Sequence, residues 1–105
     1  MTPDEYSKWR HTTDQYPQDV TTPAFYGLGL CGETGEVAEK IKKLYRDGTP
    51  LEPAKIAYEL GDVLWYLTAI ADDMGYTLQE IIDLNVQKLE DRRKRGTFRG
   101  SGDNR

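Results

Sequence analysis

One pentapeptide pattern occurs twice in this sequence, as Glu33-Thr34-Gly35-Glu36-Val37 and as Glu59-Leu60-Gly61-Asp62-Val63. Both copies lie in stretches whose apolar residues recur with helical spacing. In a helix, acids three residues apart project from the same side, about one turn apart. With about 100° of rotation per residue, the first acid of each copy lies beside the apolar arc of its own helix. The arcs consist of Val37, Ile41 and Leu44 in one helix and of Ile56, Val63, Leu67, Ile70 and Met74 in the other.

Packing the two helices through these arcs would bring four carboxylates together, those of Glu33, Glu36, Glu59 and Asp62. Four like charges turned toward a core require a positive partner, and a set of oxygen ligands favours a hard divalent cation such as Mg²⁺. Alternatively, such acid pairs belong to solvated helix faces, which are common in a chain with 30% charged residues. The recurrence of the pattern in the same phase favours a metal site.

Each copy of the pattern has a glycine between its acids, Gly35 in the first and Gly61 in the second. Glycine in a helix interior is about 1 kcal/mol less favourable than alanine. Its recurrence at the same place therefore predicts the close approach of another backbone or of a ligand.

The size and composition indicate a single domain of 105 residues with a modest core. The hydrophobic content is only 37%. This is low for a monomer and is typical of thin helices that complete their core by association. We therefore expect a homo-oligomer, either a dimer or a tetramer.

The net charge of -4 is unevenly distributed along the chain. Residues 1–87 contain 7 basic and 15 acidic side chains, whereas residues 88–105 contain 7 basic and 3 acidic ones. The basic end could bind nucleic acid, but the acidic body would repel a long polyanion. We therefore expect no long nucleic acid as partner. A small anion held between metal and basic residues fits the charge pattern better.

The sequence contains no apolar run as long as a membrane span, and its N-terminus lacks the basic and apolar regions of a signal peptide. We expect a cytoplasmic protein with no membrane contact. The single cysteine, Cys31, lies among Leu28, Leu30 and Gly32 and is predicted to be a packed thiol. The single histidine, His11, is predicted to lie at the surface, which argues against a zinc site.

Start and stop signals predict four helices. Capping boxes at Thr2 and Thr77 and prolines at helix starts mark N-termini, and glycines mark C-termini. The predicted helices cover about residues 3–15, 24–46, 53–74 and 78–95. Since no period-two strand pattern persists, the fold class is all-α, a four-helix antiparallel bundle over residues 1–95 that oligomerisation completes. Residues 96–105 are predicted to form a flexible, Gly-rich basic tail.

The residues around the two acidic pairs closely resemble a known family. Residues 29–43 and 59–67 are similar to the MazG-like nucleoside triphosphate pyrophosphohydrolases, and residues 85–93 are similar to the last helix of that family. The resemblance implies a helical bundle, usually dimeric or tetrameric. It also implies an enzyme that uses Mg²⁺, with Mn²⁺ as an acceptable substitute, to cut a nucleoside triphosphate into a monophosphate and pyrophosphate.

The resemblance implies that Glu33, Glu36, Glu59 and Asp62 are the metal ligands. Glu33 is the candidate for orienting the attacking water, although a metal site can also activate water without a dedicated base. Some relatives carry a second acid directly before the first motif, where this chain has Gly32. A base assigned in that subgroup therefore does not transfer to this sequence.

Four further residues are candidates for contacts with the substrate. Asn85 and Lys88 share a face of the fourth helix, and Arg92 lies one turn beyond, so that all three could meet the phosphates or the sugar. A solvated polar face is the alternative. Tyr66 follows Asp62 by one turn on the same side, where its phenol either contacts the nucleotide or belongs to the core.

The angle around its helix gives a prediction for each of two other residues, and Trp9 has two possible roles. Trp65 lies about 240° from Glu59, away from the acidic face, and is expected at a subunit interface. Glu39 rotates off the acidic face and is expected to be solvated. Trp9 could stack on a nucleobase, but packing explains it equally well.

Several activities remain open from the sequence. The first is the hydrolysis of a nucleoside triphosphate, and the same superfamily also offers a dUTP or dCTP pyrophosphatase and a phosphoribosyl-ATP pyrophosphohydrolase. A different class is a noncatalytic helical module that binds partners. A nucleic-acid binder working through the basic end is a further alternative, and it predicts strongly salt-dependent binding without turnover.

Overall fold

The computed structural model describes residues 1–96, which form four α-helices and no strand. This confirms the all-α fold class. The helices are α1 (Pro3–Thr13), α2 (Pro23–Asp47), α3 (Pro53–Asp73) and α4 (Leu78–Arg95). The predicted tail lies outside the described residues, except for Gly96, which caps the end of α4.

The helix starts follow local hydrogen-bonding signals. Thr2 and Thr77 each form a complete capping box, in which the threonine hydroxyl accepts from the backbone three residues later and a glutamate accepts in return. Thr22 caps α2 through its hydroxyl. Gly48 and Gly96 end α2 and α4 with φ of 70° and 72°, a left-handed conformation that glycine adopts without strain. Boundaries set by such local signals match the prediction.

Helix α1 ends at Thr13, about two residues earlier than predicted. Asp14 is extended, with φ -84° and ψ 102°, and its carboxylate accepts hydrogen bonds from Arg10 and Tyr26. Since Tyr26 lies on α2, the contact that ends α1 is a long-range one. The apolar periodicity of α1 therefore does not predict the residue at which α1 ends.

Helices α2 and α3 form a long hairpin around the short connection at residues 48–52, and they make the most extensive contact in the molecule. Helix α1 packs against α3 and α4, and α4 packs against α1 and α3. The expectation that consecutive helices pack together is therefore correct for α2 with α3 and for α3 with α4. It is wrong for α1 with α2, whose backbones do not pack together. Only side chains of these two helices meet, with the Arg10 guanidinium carbon 5.9 Å from the centre of the Tyr26 ring.

The core within the described residues is small. Its buried apolar side chains are Tyr26, Ala69, Ala71 and Leu78. By contrast, large apolar side chains are exposed, among them Leu28 at 75%, Tyr45 at 82% and Tyr58 at 79%. Ile41 and Met74, which the sequence placed in the apolar arcs, are exposed as well. One chain does not supply enough opposing surface to cover both faces of the α2–α3 hairpin.

Two predictions about single residues have different outcomes. Cys31 is exposed, not packed, because it lies on a side of α2 that no other helix within residues 1–96 covers. His11 is exposed as predicted, and its Nε2 lies 2.8 Å from Asp72 Oδ2. Within residues 1–96, none of the helices combines the length and the apolar character needed to cross a membrane.

Candidate metal centre

The α2–α3 hairpin brings three of the four predicted acids together. Glu33 from α2 and Glu59 and Asp62 from α3 each have an oxygen within 4.8 Å of an oxygen of the other two. Ligands on opposite sides of one Mg²⁺ lie about 4.2 Å apart, since each Mg–O distance is about 2.1 Å. The cluster would need only a small contraction to hold such an ion, and its oxygen-only donor set suits a hard cation.

Glu33 is the acid most affected by this arrangement. Its Oε2 is buried and has no hydrogen-bond partner among the described residues. Burial raises the pKa of Glu33, and the neighbouring charges of Glu36, Asp62 and Glu59 raise it further. A buried, unpartnered carboxylate oxygen is costly unless a cation or a proton compensates it. This observation supports the fit of a divalent cation.

Glu36 lies beside Glu33 but outside the three-residue cluster. Its carboxylate is close enough to contribute to the raised pKa of Glu33. Glu36 is exposed and lines a separate surface cleft together with Glu39, Lys40 and Lys43. Glu39 is solvated as predicted, and its carboxylate accepts a 2.7 Å hydrogen bond from Lys42.

The two motif glycines do not have the neighbours that the sequence led us to expect. A Cβ atom added at Gly35 or Gly61 would meet nothing within 4 Å in the described structure. The prediction of close backbone approach is therefore wrong within a single chain. Gly29, one helical turn before the first motif, is instead the position where a neighbour approaches closely.

An open cleft of about 560 Å³ adjoins the acids. Its lining includes the acids Glu33 and Asp62 and several aromatic rings from α1, the following loop and α3. Its lining residues are Trp9, Thr13, Gln15, Tyr16, Glu33, Asp62, Trp65 and Tyr66. We call this space the aromatic cleft. None of the described residues that line it is basic.

Trp65 is a wall of the aromatic cleft, which contradicts its predicted position away from the acids. Its ring makes edge contacts with Tyr66 and Tyr16 at centroid distances of 5.0 and 6.3 Å, and its Nε1 donates to Thr13 Oγ1. Angular position around a helix does not account for the reach of an indole ring. It also does not account for the loop that folds over this side of α3.

A buried arginine packs against Trp65. Arg10 is 1% exposed, and its guanidinium carbon lies 4.7 Å from the centre of the Trp65 ring. It also donates to Asp14, which accepts a second hydrogen bond from Tyr26. Burial raises the pKa of Asp14, but the hydrogen bonds from Tyr26 and Arg10 outweigh it and hold the pKa below its usual value. Burial together with Asp14 raises the pKa of Tyr26 to about 12.

Tyr66, a predicted substrate contact, lines the aromatic cleft beside Glu33 and Asp62. Its hydroxyl lies 3.2 Å from that of Tyr16. This hydrogen bond and burial raise the pKa of Tyr66, so the phenol stays neutral across the physiological range. The ring packs directly over Gly29, where a Cβ atom would lie 2.6 Å from Tyr66 Cζ and closer still to two other ring carbons.

We expect Gly29→Ala to destabilise the protein by about 1–3 kcal/mol, because the added methyl group overlaps a ring that Tyr16 and Trp65 hold in place. Gly27→Ala is the matched control in the same helix, since a Cβ atom there meets nothing within 4 Å. That variant should be up to about 1 kcal/mol more stable than the wild type. Thermal unfolding measures both. Equal melting temperatures for the two variants would contradict the close packing of Tyr66 on Gly29.

The other three predicted substrate contacts lie on α4, away from the aromatic cleft. Asn85 and Lys88 are exposed, whereas Arg92 is buried. None of the three lines the cleft that contains Glu33 and Asp62. Helix α4 packs on α1 and α3, which leaves these side chains outside the site of their own chain.

The structure adds site residues that the sequence did not indicate. Arg10, Tyr16 and Gly29 all shape the aromatic cleft, but none follows a motif or a recognisable spacing. The only signal was the aromatic pair Trp65-Tyr66 directly after the second acidic pair. An aromatic pair one turn beyond the acids is as consistent with the lining of a substrate cleft as with a subunit interface.

The described chain is thus an all-α protein with a carboxylate cluster at the side of an aromatic cleft. Residues 21–97 match the MazG nucleotide pyrophosphohydrolase domain, and the chain belongs to this family. Members of the family act on nucleotides. The chain is also similar to the Gene 37 protein of Mycobacterium phage L5, with 40% identity over 86 residues, which are 78% of this chain and 75% of that protein. No solved structure matches.

Proposed function

We propose that this protein is a Mg²⁺-dependent nucleoside triphosphate pyrophosphohydrolase, which releases pyrophosphate and a nucleoside monophosphate. The observation that carries the proposal is the convergence of Glu33, Glu59 and Asp62 beside the aromatic cleft. Membership of the MazG family supports the same reaction. We include a cytoplasmic location in the proposal, because free nucleoside triphosphates are found there.

The three clustered acids would hold the metal, with Glu36 as a fourth ligand from the adjacent turn of α2. When bound, Mg²⁺ or Mn²⁺ would neutralise charge on the phosphoryl oxygens and make water easier to deprotonate. The carboxylates position this charge at one side of the aromatic cleft, where the nucleotide's reacting phosphate would lie. This position follows from the lining of the cleft by Glu33 and Asp62.

Glu33 is the best candidate for accepting the proton of the attacking water. Its carboxylate borders the cleft at the side where the reacting phosphate would lie. The water oxygen would form a bond to the α-phosphorus while the bond from that phosphorus to the α–β bridging oxygen breaks. Pyrophosphate leaves with the bridging oxygen, and Glu33 holds the proton until it is lost to solvent.

The aromatic cleft suits the nucleoside part of the substrate. Trp9 lines the cleft and is about half-exposed, so its indole would be able to stack on a base. Stacking of this kind is worth about 1–3 kcal/mol per base and discriminates weakly between bases. The Gln15 amide, which both donates and accepts hydrogen bonds, is a neighbouring polar group on the cleft lining.

We further propose that a second copy of the chain completes the protein. The exposed apolar side chains of α2, α3 and α4 support association as a dimer or tetramer. Asn85 and Lys88, which are exposed on α4, would then contact the phosphates or sugar of a nucleotide bound to a neighbouring copy, since their own aromatic cleft does not contain them. Arg92 is buried within its own chain and is not part of this proposal. Sedimentation at several protein concentrations measures the assembly directly.

Pyrophosphate release from a panel of ribo- and deoxynucleoside triphosphates tests the proposed reaction. The panel includes dUTP, dCTP and phosphoribosyl-ATP, each with Mg²⁺ and with chelator. We expect metal-dependent release with a matching amount of monophosphate, and loss of release in Asp62→Asn. The Glu39→Gln variant is the control, because its carboxylate lies on α2 outside the cluster and pairs with Lys42. If no triphosphate of the panel releases pyrophosphate in the presence of metal, the proposed reaction is rejected and the noncatalytic module is favoured.

A further inference from the structure

The indole of Trp65 receives two contacts from the last turn of α1. The Thr13 hydroxyl accepts a 2.8 Å hydrogen bond from the indole Nε1. The guanidinium carbon of Arg10 lies 4.7 Å from the centre of the indole ring. The first contact fixes an edge of the ring and the second covers a face, so together they restrict its rotation.

Both side chains that hold the indole are themselves held. The Thr13 hydroxyl donates a 2.7 Å hydrogen bond to the backbone carbonyl of Arg10. Arg10 is 1% exposed and pairs with Asp14 at 3.1 Å, and Asp14 also accepts a hydrogen bond from Tyr26 of α2. A buried guanidinium that is fixed by its counter-ion can in turn fix the ring that it covers.

Trp65 lines the aromatic cleft, whereas Arg10 is buried and is not among the residues that line it. The indole therefore lies between the guanidinium and the cleft. Trp9 also lines the cleft, but it is about half-exposed, and its ring contact is a tilted one with Tyr6 at a centroid distance of 5.8 Å. Of the two tryptophans, Trp65 is the one whose orientation is set before a ligand binds.

We propose that the nucleobase stacks on Trp65 and that Arg10 and Thr13 are positioning residues for this ring. The assignment rests on the proposed function, which puts the nucleoside part of the substrate in the aromatic cleft. A ring that is already immobilised binds a base without a further loss of side-chain entropy. Stacking uses the π-face that every base has, so the two positioning residues raise the affinity for all bases with little discrimination between them.

Tryptophan fluorescence tests the stacking. The Trp9→Phe variant leaves Trp65 as the only tryptophan of the chain, so that its emission reports on this one ring. The four deoxynucleosides are the probes, added with Mg²⁺ and with chelator, and excitation is at a wavelength that they do not absorb. We expect saturable quenching of Trp65. Unchanged emission with all four nucleosides would overturn the proposal.

The Thr13→Val variant, made in the Trp9→Phe protein, tests the positioning. It removes the hydroxyl that holds the Trp65 Nε1 and keeps the size of the side chain and the Arg10 guanidinium. We expect nucleoside binding to weaken by about fivefold or more. Thr12→Val is the matched control, since the Thr12 hydroxyl donates to a backbone carbonyl of its own helix and Thr12 is not among the cleft-lining residues. Binding by the control should stay within twofold.

Arg10→Lys in the same background tests the second contact. It keeps a cation beside Asp14 but removes the planar guanidinium from the face of the indole. We expect a loss of nucleoside affinity similar to that of Thr13→Val, and Arg46→Lys, whose residue pairs with Asp47 on the exposed surface, is the control. Thr13→Val decides the question alone if Arg10→Lys does not fold. Unchanged affinity in the folded variants would overturn the positioning role.

Kinetics distinguish positioning of the base from a general structural defect. Thr13→Val alone should raise KM for a triphosphate and leave kcat within twofold, because stacking is equally strong in the ground state and in the transition state. A fall in kcat at unchanged KM would overturn the assignment. The quenching assay needs no turnover, so it keeps the two proposals apart. Quenching without pyrophosphate release rejects the reaction alone, and release without quenching rejects stacking on Trp65 alone.

Discussion

Glu33→Gln is expected to lower pyrophosphate release by about 1,000-fold, a loss of about 4 kcal/mol of transition-state stabilisation, and at the same time to stabilise the metal-free protein. The loss of activity follows because the amide neither binds a cation as a carboxylate does nor accepts a proton. The gain in stability follows because the amide removes a charge that is buried without a partner and surrounded by Glu36, Asp62 and Glu59.

The pH dependence of this stability gain has a defined sign. The pKa of Glu33 is raised in the folded protein, so the folded state binds a proton more tightly than the unfolded state. Stability of the wild type therefore falls as pH rises from the unfolded pKa, about 4.3, through the folded pKa. The penalty is complete at a pH above the folded pKa. At a pH below both values the penalty is absent, and the variant should lose its advantage.

Thermal unfolding in chelator, from acidic to neutral pH, measures this effect, and pyrophosphate release measures the activity. Added Mg²⁺ should raise the melting temperature of the wild type at neutral pH and change that of Glu33→Gln much less. Glu39→Gln serves as control, because its carboxylate is solvated. The opposite result, a metal-free Glu33→Gln protein less stable than wild type at neutral pH, would contradict this prediction. The Glu33 carboxylate would then have a stabilising partner that the structure does not show.

Arg10→Met is expected to destabilise the protein by about 3–5 kcal/mol, because it leaves the Asp14 carboxylate buried without its cation. The ion pair spans 3.1 Å, and its side chains are only 1% and 9% exposed. The variant also removes the guanidinium that packs on Trp65. A domain of this size loses about 4–8 °C per kcal/mol, so the melting temperature should fall by more than about 10 °C.

A double-mutant cycle separates the ion pair from the packing of Arg10. Asp14→Asn keeps an acceptor for Tyr26 while removing the charge, so Arg10→Met should cost less in that background than in the wild type. Arg46→Met is the matched control, since Arg46 pairs with Asp47 on the exposed surface and should matter little. All proteins are compared at one concentration, because an oligomer's unfolding depends on it. An unchanged cost of Arg10→Met in the Asp14→Asn background would contradict a role for the ion pair.

The parts of the fold that depend on residues close together in the sequence were predictable from it. The threonine caps at Thr2 and Thr77 and the glycine at Gly48 act within one turn, so their positions fix helix ends. The gathering of Glu33, Glu59 and Asp62 was also predictable, because two apolar arcs and a short connection determine how α2 and α3 pack.

The aromatic cleft was not predictable, because it depends on contacts between distant parts of the chain. Arg10 is a residue type that is rarely buried, and only its contacts with Asp14 and Trp65 explain why it is buried here. Periodicity gives a residue's angle around its own helix, but not which distant side chains reach the same place.

Cys31 provides a way to observe the site spectroscopically. It is the only cysteine of the chain, it is exposed, and it precedes Glu33 by two residues on α2. A thiol-reactive fluorophore or spin label would therefore attach at one position without removal of any other thiol. Bound near Glu33, paramagnetic Mn²⁺ would relax a nitroxide at Cys31, so that occupancy of the carboxylate cluster becomes measurable without following turnover.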